Sequence, residues 1–501
     1  MRKLLLAIIG PLFLFYCGSA QLTKELKIPF ITTENKVHDV SGYYHPANNE
    51  IIISGQEEDS TLTHFFYDTS FLLKRQYSVL SPERTILYKR GKQFLVGNIT
   101  IKNTILEVYA SADSISIFKL NSETSEDKKM ATVILGQVYE KEKFVAMIPD
   151  EYGCRFLTVA TKKKKAIIYR WLFTTNLMSI SEVELPQSTL SKEEIKEHDG
   201  SFLEIKYKDI FSDVSVDQIN KPGIFQFPSE SQLFYNDSCI YFVNKTPFEA
   251  GINIFKINTR LGIATSKNYL INKVESDKGS KDLAHPVATL YDTLLVIQNW
   301  SLKSFEYYFY NLLTGELIAK YQTKPDNSLY SLVNSPLKQI GDIASKNAEK
   351  EIENEKRFTK YRNAGLPFIK PALYKDSIVL TFGSLIPTKG IAGMIVNMAT
   401  IGIASVGEIA FRISLGSIVS QMLNKRFILL YAHSKFSAKD LKPSSANNVH
   451  TSLDDFIEDK KYGELKTDNS ILIEVSGKLY VGIFDKKTGI YGLHAYVQIP
   501  Q

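Results

Sequence analysis

The sequence is poor in tryptophan and cysteine, and neither sign of charge dominates it. Its 501 residues include two Trp and three Cys, with 60 Lys+Arg against 54 Asp+Glu. This globular composition excludes a disordered, collagen-like, coiled-coil or polytopic membrane protein. The small net charge implies no strong preference for nucleic acid or an anionic membrane. Tyrosine and phenylalanine, by contrast, number 27 and 29. Because such rings suit half-buried pleated surfaces, we expect a protein rich in β-strands.

Residues 1–20 have the pattern of a secretory signal peptide. Two basic residues precede an apolar run, and the small residues Gly18 and Ala20 precede Gln21. Cleavage after Ala20 leaves residues 21–501 as the mature chain, whose two remaining cysteines allow at most one disulfide. A chain of this size has enough core to need none. The sequence therefore predicts an exported protein, periplasmic or extracellular.

A lipid on Cys17 is the alternative to cleavage after Ala20. Residues 14–17 resemble a bacterial lipobox in their leucine and cysteine, although bulky Phe15 and Tyr16 stand where small residues are usual. In this alternative the protein is an outer-membrane lipoprotein. The lipid on Cys17 would then be its only contact with the membrane.

A hairpin motif recurs along the chain. Each copy places two apolar residues five and four positions before a threonine, and three copies carry Asn or Asp three positions before it. Alternating apolar residues form a strand, and Asn or Asp with Thr-Gly forms a tight turn into the next strand. The copies lie at residues 254–259, 309–315, 395–400 and 483–489.

A second, buried strand precedes these hairpins. Seven short apolar runs follow polar turns and are typical of fully buried strands. They begin at residues 51, 94, 156, 240, 294, 378 and 427. A repeating unit of about 45–55 residues with four strands has the size of a propeller blade.

The hairpin motif resembles that of exported bacterial β-propellers of the quinoprotein-like and related repeat classes, over most of residues 37–500. The resemblance implies an all-β fold, a β-propeller of seven four-stranded blades with a short helical insertion. Six or eight blades remain an alternative, as does an array of β-sandwiches. With only Trp171 and Trp300 in place of the docking tryptophans of quinoprotein blades, no quinone or other cofactor is expected.

Three stretches are too long to belong to blades: residues 187–222, 323–365 and 433–468. In a regular propeller of residues 21–501 all three connections map to the same face. Loops this long are uncommon unless they are functional, so this face is the candidate site. Residues 338–362 contain mostly helix formers and predict the helical insertion, with a narrow apolar stripe.

Histidines, one carboxylate and one guanidinium in or beside these stretches are the candidate binding residues. They could act as acid, base or ligand contact, or they could be exposed loop residues with no common site. No pair of histidines has the spacing of metal ligands, so no metal site is expected. The candidates are His198, Asp199, His285, Arg362, His433 and His450.

The sequence lacks the motifs of common enzymes. Neither Gly-x-Ser-x-Gly nor a phosphate-binding Gly-x-x-x-x-Gly-Lys-Ser/Thr occurs, which excludes the serine hydrolases and NTPases that use them. The uncharged residues 391–407 favour two buried strands over a membrane span. We therefore expect a binding or scaffold protein with a protein or glycan partner at the loop face and no nucleic acid. The alternative is a glycan- or peptide-active hydrolase or lyase at the channel mouth, with Asp199 or Glu230 as acid and base.

Overall fold

The structure is a computed structural model that describes most strands and their turns. The described residues are 22–26, 39–45, 49–56, 61–80, 94–101, 104–110, 114–120, 127–135, 142–150, 153–162, 165–174, 177–184, 214–219, 231–245, 251–271, 286–300, 304–323, 331–340, 349–352, 365–374, 376–387, 427–445, 449–451, 470–475, 478–485 and 490–497, with single residues 137, 355, 358, 359, 362 and 454.

The described residues form thirty β-strands, so the protein is all-β, as the sequence predicts. In chain order they are β1 (Leu22–Leu26), β2 (Asp39–His45), β3 (Glu50–Gln56), β4 (Thr61–Asp68), β5 (Leu73–Leu80), β6 (Phe94–Ile101), β7 (Thr104–Ala110), β8 (Ser114–Leu120), β9 (Asp127–Ile134), β10 (Lys143–Asp150), β11 (Gly153–Lys162), β12 (Lys165–Thr174), β13 (Leu177–Glu184), β14 (Val214–Gln218), β15 (Ser231–Tyr235), β16 (Cys239–Lys245), β17 (Gly251–Asn258), β18 (Ile263–Leu270), β19 (Val287–Tyr291), β20 (Leu294–Trp300), β21 (Phe305–Asn311), β22 (Leu317–Gln322), β23 (Lys338–Ile340), β24 (Glu349–Glu351), β25 (Leu366–Tyr374), β26 (Ser377–Pro387), β27 (Phe427–Ser437), β28 (Ser470–Val475), β29 (Lys478–Asp485) and β30 (Ile490–Val497).

These strands form seven sheets within the described part of the chain. Sheets 1, 2, 3 and 5 are β2–β5, β6–β9, β10–β13 and β19–β22, each with consecutive antiparallel neighbours. Sheet 4 has the order β14-β15-β16-β17-β18, and sheet 6 has the order β25-β26-β27-β23-β24. Sheet 7 has the order β28-β29-β30-β1, so the first described strand completes the sheet of the last three.

The first strands of the sheets lie beside one another. β2 contacts β28, β6 contacts β10, β10 contacts β14, and β19 contacts β25. Because the contact between β2 and β28 joins the first sheet to the last, the arrangement is that of a β-propeller. Pairing of β1 with β30 closes it with antiparallel backbone hydrogen bonds.

Consecutive sheets pack face to face. Successive residues of a strand point to opposite faces of its sheet, and apolar residues on both faces pack against the neighbouring sheets. In β20, Leu295 packs in the core shared with sheet 4, and its neighbour Val296 packs in the core shared with sheet 6. The core between sheets 5 and 6 is the most aromatic of those described, with Trp300 stacked on Phe358 at 5.4 Å and touching Phe305 at 4.7 Å. Each such buried ring contributes about 2–3 kcal/mol.

The predicted hairpin turns at residues 254–259 and 309–315 are present, and an Asn side chain holds each of them. In the copy at 483–489, Asp485 pairs with Ile490, and residues 486–489 lie outside the described residues. Asn311 Oδ1 accepts hydrogen bonds from the backbone N–H groups of Leu313 and Thr314. Asn258 accepts equivalent bonds in sheet 4, as does Asp68 in sheet 1. The copies of the motif therefore correspond at this Asn or Asp, and Thr259 is not the equivalent of Thr314. The copy at residues 395–400 lies outside the described residues, as does the 391–407 stretch that contains it.

Two expectations about strand assignment are wrong. The run that begins at Phe94 is β6, the first strand of sheet 2, and not the second. The run that begins at Phe427 is β27, the third strand of sheet 6, and not part of the last sheet. Residues 433–437 are therefore strand, although the sequence places them in the insertion 433–468. The other five runs are second strands of their four-stranded units, as predicted, when β14 is counted as a strand added to sheet 4.

The helix predicted over residues 338–362 is also wrong in its first half. Residues 338–340 and 349–351 are β23 and β24, and β23 pairs with β27 as an added outer strand of sheet 6. Pairing with an open sheet edge outweighs the helix propensity of these residues, which is a weak preference. Helical geometry is confined, among the described residues, to positions 355, 358, 359, 362 and 454. The expected four strands per unit likewise become five in sheets 4 and 6.

Candidate functional site

Three of the six candidate residues lie in the described part of the chain. Arg362 precedes β25 and is buried, His433 lies in the middle of β27 and is buried, and His450 is exposed. His198, Asp199 and His285 lie outside the described residues. The structure therefore places His433 in sheet 6, Arg362 between sheets 5 and 6 and His450 on the connection that follows β27.

His433 is the centre of a buried polar group that we call the His433 network: Thr381, His433, Tyr431, Asp454 and Lys338. Its Nε2 lies 2.9 Å from Asp454 Oδ2, and its Nδ1 lies 3.0 Å from Thr381 Oγ1. Because a carboxylate only accepts, Nε2–H donates to Asp454, and a neutral ring accepts the Thr381 hydroxyl proton at Nδ1. The imidazole is thus held on both sides.

Asp454 joins three parts of the fold. Lys338 Nζ and Tyr431 Oη each donate to Oδ1 at 3.0 Å, and the Thr451 backbone N–H and hydroxyl donate to Oδ2 at 2.7 and 2.9 Å. Burial alone would raise the pKa of this carboxyl. The hydrogen bond from His433, with the charge that its ring carries when protonated, the Lys338 ammonium and the Thr451 N–H outweigh burial and hold the Asp454 pKa far below its ordinary value.

The alternation of β27 explains why His433 points towards Asp454. Tyr431 and His433 lie on one face of the strand, and Leu430, Ala432 and Ser434 lie on the other, in the aromatic core shared with sheet 5. A single strand therefore carries two buried polar sites, one on each face.

The second site is the Arg362 cluster: Arg362, Gln298, Tyr307, Ser434 and Trp300. The Arg362 guanidinium lies 4.8 Å from the Trp300 ring centroid and donates to Gln298 Oε1 at 3.0 Å. Gln298 in turn donates to Tyr307, and Tyr307 donates to Ser434. Burial lowers the pKa of Arg362 to about 9, against a smaller opposing effect of Tyr307. The same burial raises the pKa of Tyr307.

The connection after β27 is tied down by a neighbouring segment. Asn334 accepts from the Lys435 N–H through Oδ1 and donates to the Ser444 carbonyl through Nδ2. The Val449 N–H donates to the Asn334 carbonyl, and the His433 N–H donates to the Ser335 hydroxyl. Ser444, Val449 and Asp454 are therefore each held by hydrogen bonds to sheet 6 or to its neighbouring segment, Thr451 is held through Asp454, and the exposed His450 lies between Val449 and Thr451.

Neither polar site has the form of an accessible catalytic centre. The order hydroxyl, imidazole, carboxylate in Thr381, His433 and Asp454 is the order that activates a nucleophile in hydrolases. Here the three residues are 9%, 0% and 1% exposed, so a substrate cannot reach the hydroxyl. Among the described residues no three His, Cys, Asp or Glu side chains cluster closely enough to hold a metal ion. Both sites connect elements of the fold.

Sequence reasoning missed most members of these sites. Asp454 is in the 433–468 stretch but stands in no motif, and Lys338 and Tyr307 belong to segments interpreted as helix and strand. A histidine within a run of apolar residues, as at 427–437, is the one sequence signal that points to a buried partner, because a buried imidazole requires hydrogen bonds.

No protein-family model matches the chain, and no curated protein matches it. Among solved structures it is similar to the Cps50 (Swd1) β-propeller domain of Myceliophteria thermophila, with 7% identity over 93% of this chain and 100% of that one and a TM-score of 0.29. The Listeria monocytogenes protein lmo1340 gives 11% identity over 92% and 94%, with a TM-score of 0.34.

A cobalt-substituted Synechocystis apocarotenoid oxygenase gives 10% identity and a TM-score of 0.28, over 55% of this chain and 58% of that one. The chain thus spans little more than half the length of that enzyme. At these TM-scores none of the similarities indicates a function. Within the described residues no helix is long and apolar enough to cross a membrane.

Proposed function

We propose that the protein is an exported binding or scaffold protein that holds a partner at connections fixed to a seven-bladed propeller. Each of the seven described sheets is taken as one blade, with β14, β23 and β24 as additions to two of them. Propellers, like barrels, use loops on a rigid framework for recognition. The expected partner is a protein or a glycan at the face that carries the long connections.

The observation that supports this proposal most directly is the attachment of residues 444–454. Hydrogen bonds with Asn334 hold Ser444 and Val449, and the His433 network holds Thr451 and Asp454. A segment held in one conformation loses little entropy when it binds, which favours affinity. His450, exposed on this segment, is the candidate residue best placed to contact a partner.

Export through the signal peptide, with cleavage after Ala20, completes the proposal. β1 begins two residues after Ala20, so cleavage there leaves the closing strand intact. Lipid attachment at Cys17 would keep the same strand and add an outer-membrane anchor. Mass spectrometry of the N-terminal peptide distinguishes the two, since it shows either a chain beginning at Gln21 or an acylated Cys17.

Site-specific photo-crosslinking tests the binding role. The full chain, carrying benzoylphenylalanine at position 450, is produced in cells of its source organism and irradiated; the purified protein is also applied to a glycan array. We expect one discrete crosslinked protein or one glycan class with position 450. The matched control is position 72, an exposed turn of sheet 1. Identical products at both positions, or none at position 450 together with an empty array, would contradict the proposal.

A further inference from the structure

Sheets 4 and 5 expose large apolar side chains at equivalent places of the repeat. In sheet 4, Leu261 in the turn and Ile263 at the start of β18 are 70% and 56% exposed. In sheet 5, Leu313 in the turn and Leu317 at the start of β22 are 66% and 50% exposed. Single exposed leucines are ordinary, but neighbouring pairs on adjacent elements indicate an interaction surface.

These side chains border one groove between the two sheets. Tyr269 of β18 touches Tyr310 of β21 with ring centroids 4.9 Å apart, so this face of β18 looks towards sheet 5. Ile263 lies on the same face, since it is an even number of residues from Tyr269. Leu317 is the direct cross-strand partner of Tyr310 and therefore lies on the facing side of sheet 5.

Lys267 spans the groove between the two sheets. Its ammonium group donates to the Thr314 carbonyl at 3.0 Å, and it lies 5.5 Å from the Tyr269 ring. Gly315, at φ +72°, makes this approach feasible, because a Cβ there would lie 1.6 Å from Lys267 Nζ. We call the surface formed by Leu261, Ile263, Lys267, Tyr310, Leu313 and Leu317 the rim groove.

The charge of the rim groove is positive. No carboxylate of the described residues pairs with Lys267 or with Arg260 in the adjacent turn. Lys320, over the Tyr308 ring, has an ion-pair partner in the buried Glu306, at 3.5 Å. The exposed Glu316 accepts a hydrogen bond from the Thr314 hydroxyl. An apolar surface with unneutralised cations is complementary to a partner that carries apolar and acidic side chains together.

The edge of β22 supplies a backbone template. β22 is the outermost strand of sheet 5, so its outer N–H and C=O groups pair with no strand among the described residues. An extended peptide can add to such an edge by main-chain hydrogen bonds while alternate side chains enter pockets.

We propose that the rim groove binds an extended segment of a partner protein whose every second residue, all on one face, is in turn leucine-type and carboxylate. The leucines would cover Ile263, Leu313 and Leu317, and the carboxylates would meet Lys267 and Arg260. This surface is separate from residues 444–454, so the proposal stands or falls independently of the function proposed above.

Fluorescence anisotropy with synthetic peptides tests the proposal on purified residues 21–501. The probe is a labelled peptide with Leu and Glu in turn at every second position and Ser between them, here the Leu/Glu peptide, compared with a Leu/Lys peptide, in which Lys replaces Glu, and a Ser/Glu peptide, in which Ser replaces Leu. We expect the Leu/Glu peptide to bind at least ten-fold more tightly than either, and its affinity to fall with added salt. Lys267→Glu and Leu313→Ser should each weaken its binding at least ten-fold.

The matched controls are Lys442→Glu and Leu72→Ser, exposed residues of the equivalent turns in sheets 6 and 1, which should leave affinity unchanged. Circular dichroism checks that all four variants are folded. Binding of the Leu/Lys peptide with equal affinity, equal effects of the controls, or no binding of the Leu/Glu peptide overturns the proposal. Self-association of the protein that Leu313→Ser abolishes would also overturn it, since the occupant would then be a second copy of this chain.

Discussion

Replacement of Asp454 by alanine removes the acceptor on which the His433 network converges. The carboxylate is 1% exposed and accepts from His433, Lys338, Tyr431 and Thr451. Truncation leaves the Lys338 ammonium, itself only 11% exposed, and the His433 Nε2–H without this acceptor. Because two buried donors lose their charged partner at once, the change should affect stability far more than an ordinary surface substitution.

The expected cost is about 3–5 kcal/mol, the range observed when one partner of a buried ion pair is removed. At an unfolding entropy of roughly 2.1 cal/mol/K per residue, a cooperative chain of about 480 residues would lose about 3–5 °C in Tm. Differential scanning calorimetry of residues 21–501 measures this shift. Asp440→Ala is the matched control, since Asp440 lies in an exposed turn of the same sheet and contacts only turn residues in the described part of the chain.

Acid adds a second test of the same contact. The folded-state pKa of Asp454 is depressed, so its contribution to stability is complete above the unfolded pKa of about 3.9 and declines as pH falls below it. The difference in unfolding free energy between the wild type and Asp454→Ala should therefore be present in full at about pH 5 and shrink below about pH 4. A Tm loss no larger than that of Asp440→Ala, or a difference unchanged by acid, would refute this account of Asp454.

Three further substitutions or deletions test the rest of the fold. Gly383→Ala should prevent sheet 6 from forming, because the alanine Cβ would lie 1.7 Å from a backbone carbonyl oxygen of β27. We expect a loss of unfolding free energy above about 3 kcal/mol, measured as lower soluble yield and a changed circular dichroism spectrum. Arg362→Lys should reduce the unfolding free energy by about 2 kcal/mol in a urea titration, since an ammonium cannot both stack on Trp300 and reach Gln298. Deletion of Leu22–Leu26 should lower Tm and speed hydrogen exchange of β30, which loses its outer partner.

The strands that the sequence predicts correctly are those that neighbouring residues in the chain determine. The hairpins at Asn258 and Asn311 are short, and their turn residues and alternating apolar residues specify both strands without help from the rest of the chain. Five of the seven buried runs were therefore assigned to the right strand of their unit. The all-β class follows from the same local signals, whereas the fifth strands of sheets 4 and 6 do not.

The errors arose where a strand's partner is distant in sequence. β27 has the same apolar pattern as a second strand, and only its pairing with β26 across residues 388–426 shows that it is a third strand. β23 carries residues with helix propensity and becomes a strand because β27 offers it an edge. The periodicity of apolar residues shows which faces of a segment are buried, but it does not show which neighbouring element buries them.

For the candidate site residues, too, the sequence indicates the chemistry of the side chain but not its surroundings in the fold. His433 was selected for its place in an expected loop, and it is in a strand with its ring buried. Arg362 was selected within an expected surface helix, and its guanidinium is buried over Trp300. Both residues have the polar chemistry that the sequence indicates. Their roles differ because burial is a property of the tertiary fold, which turns a potential ligand contact into a structural one.

Sheet 6 needs such polar contacts because its outer strands are not joined to it by hairpins. β23 reaches β27 from an earlier part of the chain, so no turn fixes its register, whereas residues 442–444 fold back on β27 through the turn that follows it. Buried apolar residues tolerate a shift along the strand, whereas hydrogen bonds to Asp454 and Asn334 are satisfied in one register only. Replacement of the whole His433 network by apolar residues could give an equally stable protein, because the attraction between paired buried charges does little more than offset the free energy of desolvating them. What it would remove is the constraint that holds residues 444–454 in one place, which is the property that a binding surface on this sheet requires.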